Sequence, residues 1–233
     1  MRNLIKKELS YYLNNPLGYI VIVLFASFAN LFYVKDIFLT GSASLRPFFF
    51  LIPWLFLVFI PALAMRIFSE EKRNNTLEII LTLPYSETQI VLSKFFALFF
   101  LLFLSLGLTF SLPVSLFFLA KIYLLEVVIA YFGCWILGAS FIALTMFFSV
   151  KTKNQLVAFL LSSLLIFLLL ILGSDFSASF LPRNIHDFLS YFSPFYHFQN
   201  FVKGILDLRS FFYFISFIFL FLFLTVVDLE KRN

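Results

Sequence analysis

Charge is scarce in this chain. Of its 233 residues only 12% are Asp, Glu, Lys or Arg, whereas 62% are apolar and the mean hydropathy is +1.02. A soluble domain carries about a quarter charged residues, and no water-soluble fold could hide this much apolar surface, so the solvent for most of the chain is lipid. Cysteine is nearly absent too. The single Cys134 excludes an internal disulfide and a thiolate metal site. There are two histidines, His186 and His197, and both fall outside the long apolar runs. A metal site therefore lacks further ligands, a hydroxyl such as that of Ser140 lacks a base on another span, and both histidines are expected at the surface. No G-x-x-x-x-G-K phosphate loop occurs, so the chain is not expected to bind ATP in that way or to be an enzyme by itself, and no cofactor is expected within it. No apolar run has a charge near its centre, and Glu126 stands only at the mouth of one. Proton- and sodium-driven carriers use intramembrane charges, so secondary transport is disfavoured, as it is by the lack of a clear inverted repeat. The basic excess, 17 against 12, is not a nucleic-acid signature, because the basic residues sit at the ends of apolar runs rather than in one aromatic-lined patch.

What the chain does have is six charge-free apolar runs, at about 17–34, 48–65, 95–120, 127–150, 156–174 and 211–227. Each is long enough to cross roughly 30 Å of hydrocarbon at about 1.5 Å per residue. Backbone groups in lipid must bond internally, and the runs are apolar all round rather than alternating, so helices are expected and a barrel is not. The expected fold is an all-α polytopic membrane protein of six transmembrane helices in a single domain, 1–233. Ser27-Phe28-Ala29 has the form of a signal-peptidase site, but the apolar run continues past it, so retention of the first span is expected. With the N-terminus inside, the inner segments hold Arg2, Lys6, Lys7, Arg66, Lys72, Arg73, Lys94, Lys151, Lys153, Lys231 and Arg232. The outer ones hold Lys35, Arg46, Lys121, Arg183, Lys203 and Arg209. Positive charge gathers inside, so both termini are expected in the cytoplasm.

The segments between the runs carry pattern. In the first sixteen residues Ile5, Leu9, Tyr12 and Leu13 share a helical face, with Arg2, Lys6 and Lys7 elsewhere. This predicts a basic amphipathic interface helix with its apolar side in the acyl boundary. In the polar island 66–94, Asn75 with Glu78 reads as an N-cap pair for a short helix bearing Leu77, Ile80 and Leu81, which Pro84 ends. Ser86 to Gln89 then reads as a capping box opening the third span. Between 175 and 210, the sets Ile185, Phe188, Leu189, Phe192 and Phe198, Phe201, Val202, Ile205 predict two short amphipathic helices at, or dipping into, the outer interface. Ala130, Cys134 and Gly138 recur every four residues on the fourth span, a spacing that lets helices approach closely. Pro53, Pro61 and Pro113 can kink the second and third spans.

The stretch from Phe59 to Lys94 resembles the signature region of type-2, exporter-class ABC transporter permeases, in particular the branch of gliding motility and nitrous-oxide-reductase maturation. The matching residues are Pro61, Met65, Arg66, Glu70, Glu71, Thr76, Glu78, Pro84 and Lys94, while Asn75 stands where the family has Gly. The opening KKELSYYLNNPLGYI and the stretch SPFYHFQNFVKGILDLRSFFYF are similar to the family's N-terminal and last-loop segments. The resemblance implies a six-span half-transporter in the cell inner membrane. It would pair with a second permease half, identical or different, and with separate ABC ATP-binding subunits that hold ATP and Mg. It further implies that the N-terminal helix and a coupling helix after Thr76 dock the ATPase, with Arg66, Glu70, Glu71, Asn75, Thr76, Leu77, Glu78, Leu81 and Pro84 in the docking region. Two other readings remain beside it: a non-transporting membrane scaffold that anchors an ATPase, and a carrier or channel.

Overall fold

The computed structural model describes residues 2–40, 44–82, 84–119, 123–180 and 182–231; Lys121 and Arg232, both in the charge pattern, lie outside them. Helices account for nearly all of the described residues, and no strand occurs among them. Six helical segments are long and apolar enough to cross a membrane. The first is α2 (Pro16–Thr40), preceded by α1 (Arg2–Asn14). The second is α3 (Arg46–Ala64), which leads into α4 (Arg66–Arg73) and the short α5 (Leu77–Leu81). The third is α6 (Glu87–Gly107), prolonged by a 3-10 turn (Leu108–Phe110) and α7 (Ser111–Leu119). Then come α8 (Leu124–Lys151) and α9 (Gln155–Leu172). Three short helices, α10 (Asp175–Phe180), α11 (Arg183–Ser190) and α12 (Pro194–Val202), precede α13 (Leu208–Glu230). The chain crosses back and forth, so α1, α4 and α5 gather at one end of the bundle and α10 to α12 at the other.

α8 is the central post. It packs against α3, α4, α6, α9, α12 and α13. Its length is apolar, so lipid and protein neighbours are equally acceptable to it chemically, and close packing decides what it touches. Ala130, Cys134 and Gly138 are all buried in its interior-facing surface. At Gly138 a Cβ would stand 2.5 Å from Leu102 Cδ2 of α6, and at Gly133 another would stand 2.5 Å from Phe201 Cβ of α12. These two glycines set how near α6 and α12 come.

The two proline-bearing spans accommodate their prolines in different ways. α3 runs unbroken through Pro53 and Pro61, and the break falls later, at Met65. Its cause is Ser149 of α8. The Ser149 hydroxyl donates to Met65 O at 2.8 Å and accepts from Phe68 N and Ser69 N, each at 3.1 Å. A foreign side chain inserted in the helical ladder bends it, and here that side chain also caps the first turn of α4, which has no cap of its own. Pro113 removes the donor that Thr109 O would otherwise receive. Tyr131 of α8 replaces it, its hydroxyl donating to Thr109 O at 3.3 Å while its ring stacks on Phe110 at 4.3 Å. The 3-10 turn sits at this point.

At the end carrying α10 to α12, the two expected amphipathic helices are present but unequal. α11 leaves Ile185 and Phe188 exposed, as an interfacial helix would. α12 instead sinks into the bundle, burying Phe195, Phe198, Phe201 and Val202. His197 goes with it and is buried, which corrects the expected surface position. It lies 3.0 Å from Tyr191 O and 3.2 Å from Ser210 Oγ and stacks on the Tyr213 ring at 4.2 Å. Burial in this slot holds the imidazole below its ordinary pKa. Arg46 and Glu126 close the same end with an ion pair of 2.7 Å.

Candidate functional site

The functional candidate is the end built from α1, α4 and α5, where polar chain meets the spans. α1 packs on α6 and α2. Its buried face is Leu4, Glu8 and Tyr12. Of the expected apolar face, Tyr12 is buried, whereas Ile5, Leu9 and Leu13 form only a half-buried flank. The face has turned because a carboxylate in it has a partner. The buried face meets α6 and α2.

That partner is Lys94 of α6, whose side chain is 1% exposed. Its Nζ donates to Glu8 Oε1 at 3.0 Å, to Glu71 Oε1 of α4 at 2.6 Å and to Ile67 O at 3.2 Å. All three ammonium protons are thus accounted for, and the Phe68 ring lies 5.2 Å away beneath the charge. One buried cation ties three helices together: α1 through Glu8, α4 through Glu71 and the third span through its own backbone. Tyr12 adds a further strut, its hydroxyl donating to Leu63 O at 3.1 Å, beside the break between α3 and α4.

The turn after α4 is set by one residue. Thr76 N donates to Glu71 O at 2.9 Å and Asn75 N to Lys72 O at 3.3 Å, the two closing bonds of a Schellman motif. The motif needs a left-handed residue, and Asn75 supplies it with φ of 55°. Asn is, after Gly, among the residues that enter this region most readily. Asn75 therefore ends α4 and does not cap α5, which corrects the expected Asn75–Glu78 pair. Thr76 stands at the N-cap position of α5 without a side-chain cap bond. The second cap is present: Ser86 Oγ accepts from Gln89 N at 3.3 Å.

The sequence-derived docking residues divide accordingly. Arg66 and Glu70 pair with each other at 3.2 Å on α4. Glu71 turns to Lys94, and Leu77 is buried against the bundle. Glu78, Asn75, Thr76 and Pro84 are exposed, Leu81 is half-buried, and Ile79 presents an exposed apolar side chain. Between α1 and the α4–α5 unit runs a groove of about 430 Å³ whose walls include Tyr11, Tyr12, Glu70, Glu71 and Ile79. The Tyr11 phenol there is pushed above its ordinary pKa, first by burial and then by the neighbouring Glu70 carboxylate, so it stays protonated. Ala130, Cys134 and Gly138 take no part in this end; they organise packing within the bundle.

Sequence reasoning kept Lys94 only as part of a motif and missed Glu8 and Ser149. A signal for two of them was present. Lys94 falls on the apolar stripe of Ile90, Val91 and Leu98, and Glu8 on that of Leu4 and Tyr12. A charge within an otherwise apolar helix face predicts a buried partner of opposite sign. Ser149 had no such mark.

Six apolar helices around a central post, with short amphipathic helices clamped to one end, define a multi-pass membrane protein of helical type. The chain belongs to the ABC-2 family: the family described as ABC-2 family transporter protein matches it over residues 2–227. It is thus the membrane subunit of an ABC transporter, a class that works in a bilayer with an ATP-binding subunit. No curated protein matches the chain.

Proposed function

We propose that the chain is the membrane half of an ATP-driven exporter and that the α1–α4–α5 end receives the ATP-binding subunit. In this reading residues 1–233 act as one permease domain, with both termini and this end in the cytoplasm and the spans in the cell inner membrane. A second permease half completes the path. ATP and Mg are held by the partner subunits, and nucleotide-driven closure pushes on α4 and α5. The observation that carries the reading is the Lys94 tie. A push on α4 meets a rigid ion cluster and passes at once to the third span and to α1, instead of being lost in a flexible loop. The exposed Glu78 and Ile79 offer the contact itself, and the gathering of basic residues at this end supports its cytoplasmic placement. Within the family, the resemblance of the stretch from Pro61 to Lys94 supports the gliding-motility and nitrous-oxide-reductase-maturation branch as the chain's own. Affinity purification of the full chain from its native membrane should bring down an ATP-binding-cassette subunit with Mg-dependent ATP hydrolysis. A Glu78→Lys/Ile79→Asp variant should insert normally and lose that subunit. Retention of the subunit by this variant refutes the docking site.

A further inference from the structure

Where α8 gives way to α9, two lysines stand close in sequence yet are used differently. Lys151 has a carboxylate, Asp228 of α13, at 3.7 Å, and its Nζ lies 4.5 Å over the Phe147 ring. Lys153 has no ion pair among the described residues, and neither has Arg73 at the end of α4. Both are exposed. α4 packs against α9, and the two charges meet as walls of one hollow.

The hollow holds about 470 Å³ and is lined by Arg73, Lys153, Asn154, Gln155 and Leu156, with no carboxylate among them. Asn154 caps α9 by accepting from Leu156 N at 2.9 Å, so the positive end of that helix also opens here. Lys153 borders a second hollow of about 310 Å³, where Lys72 is buried and the carboxylate in the lining is Glu78. Positive charge gathered at a concave surface without a counter-charge attracts an anion from outside.

The kind of anion follows from where the cleft sits. Arg73 closes the second membrane-crossing segment and Gln155 opens the fifth, so the cleft lies at the depth of lipid headgroups. From it Leu156, Leu160, Leu164 and Leu168, all exposed, run at four-residue spacing down one side of α9. A soluble anion would use only the charges. A phospholipid would use both features, its phosphate against the cations and its chains along the leucines. Basic pockets between spans at the membrane surface hold anionic headgroups in this way. We infer that the Arg73–Lys153 cleft binds the phosphodiester headgroup of an anionic phospholipid, whose acyl chains lie along Leu156, Leu160 and Leu164. An occupied cleft ties the end of α4 to the start of α9. This contact needs no partner subunit and is independent of the docking proposed at Glu78 and Ile79.

The full chain in neutral detergent is titrated with short-chain phosphatidylglycerol and, separately, with short-chain phosphatidylcholine, and bound lipid is counted by native mass spectrometry. Phosphatidylglycerol should bind about thirtyfold more tightly, the size of two cation contacts at a membrane surface, and the preference should shrink as salt is added. Arg73→Gln/Lys153→Gln should bring the two lipids to within about threefold of each other, whereas Lys35→Gln/Lys203→Gln, at the opposite end, should leave the preference intact. Glycerophosphoglycerol, the same headgroup without acyl chains, should bind more weakly than phosphatidylglycerol by about tenfold or more. A wild-type chain without preference, or one whose preference ignores salt, overturns the site, as does a preference that survives in Arg73→Gln/Lys153→Gln. Glycerophosphoglycerol binding as tightly as the lipid makes the cleft a site for soluble phosphates and overturns the lipid assignment. Loss of an ATP-binding subunit from Arg73→Gln/Lys153→Gln with the lipid preference unchanged gives the cleft to the protein partner and overturns it as well.

Discussion

Replacing Lys94 by Met keeps the stem of the side chain and removes only the ammonium. Glu8 and Glu71, with side chains 10% and 18% exposed, are then left facing each other across the vacated charge, and Ile67 O loses a donor. Removing one member of a buried ion cluster costs about 3–5 kcal/mol, most of it the penalty on the charges left behind. Partial exposure of Glu71 puts the expected loss at the lower end, about 3 kcal/mol. Because the cluster is what holds α1 to α6, the loss should emerge as detachment of α1, with an opening constant raised about a hundredfold. Hydrogen exchange of the α1 amides in the purified chain measures this directly, with the α8 amides as an internal reference. The triple variant Glu8→Gln/Lys94→Met/Glu71→Gln should recover most of the protection, since replacing an entire buried cluster is often close to neutral. If Lys94→Met leaves α1 exchange within about a factor of three of wild type, or if the triple variant is worse than the single one, the cluster does not hold this end together.

The bundle supplies two further expected outcomes. Ser149→Ala removes the hydroxyl that serves Met65 O, Phe68 N and Ser69 N at once; with each lost bond costing about 1 kcal/mol, thermal stability in detergent should fall by about 2–3 kcal/mol, and an unchanged melting profile would contradict the assigned role of Ser149 at the break. His197, held below its ordinary pKa chiefly by burial, with Tyr191 O and Asp207 opposing that shift, is favoured neutral in the fold. Its contribution to stability is therefore complete above about pH 6.5, the ordinary value, and is lost as pH falls through the folded pKa. Unfolding monitored between about pH 7.5 and 5 should show this decline, and His197→Gln should flatten it.

The limits of sequence reading fall along a physical line. The spans were legible because lipid imposes a single requirement, a long run of apolar residues, and composition alone reports it. α5 and the cap at Ser86 were legible because a turn writes its chemistry into adjacent residues. The exchange of roles at Asn75 was not, because a left-handed residue that ends one helix and a residue that caps the next draw on the same short list of side chains. The pattern of α12 left open whether it lies at the outer interface or dips into it; it sinks into the bundle because Gly133 lets Phe201 approach α8, a relation between residues far apart in the chain.

The sequence by itself determined that this is an all-helical membrane protein of six spans with a polar island between the second and third. That much is dictated by the cost of placing backbone and charge in hydrocarbon. Only the tertiary structure decided what the island does with its charges. Glu71 could have faced a partner or the bundle, and Glu8 could have faced water. Both turn inward because folding brings Lys94 between them, and a buried ammonium is tolerated only where carboxylates and a carbonyl surround it.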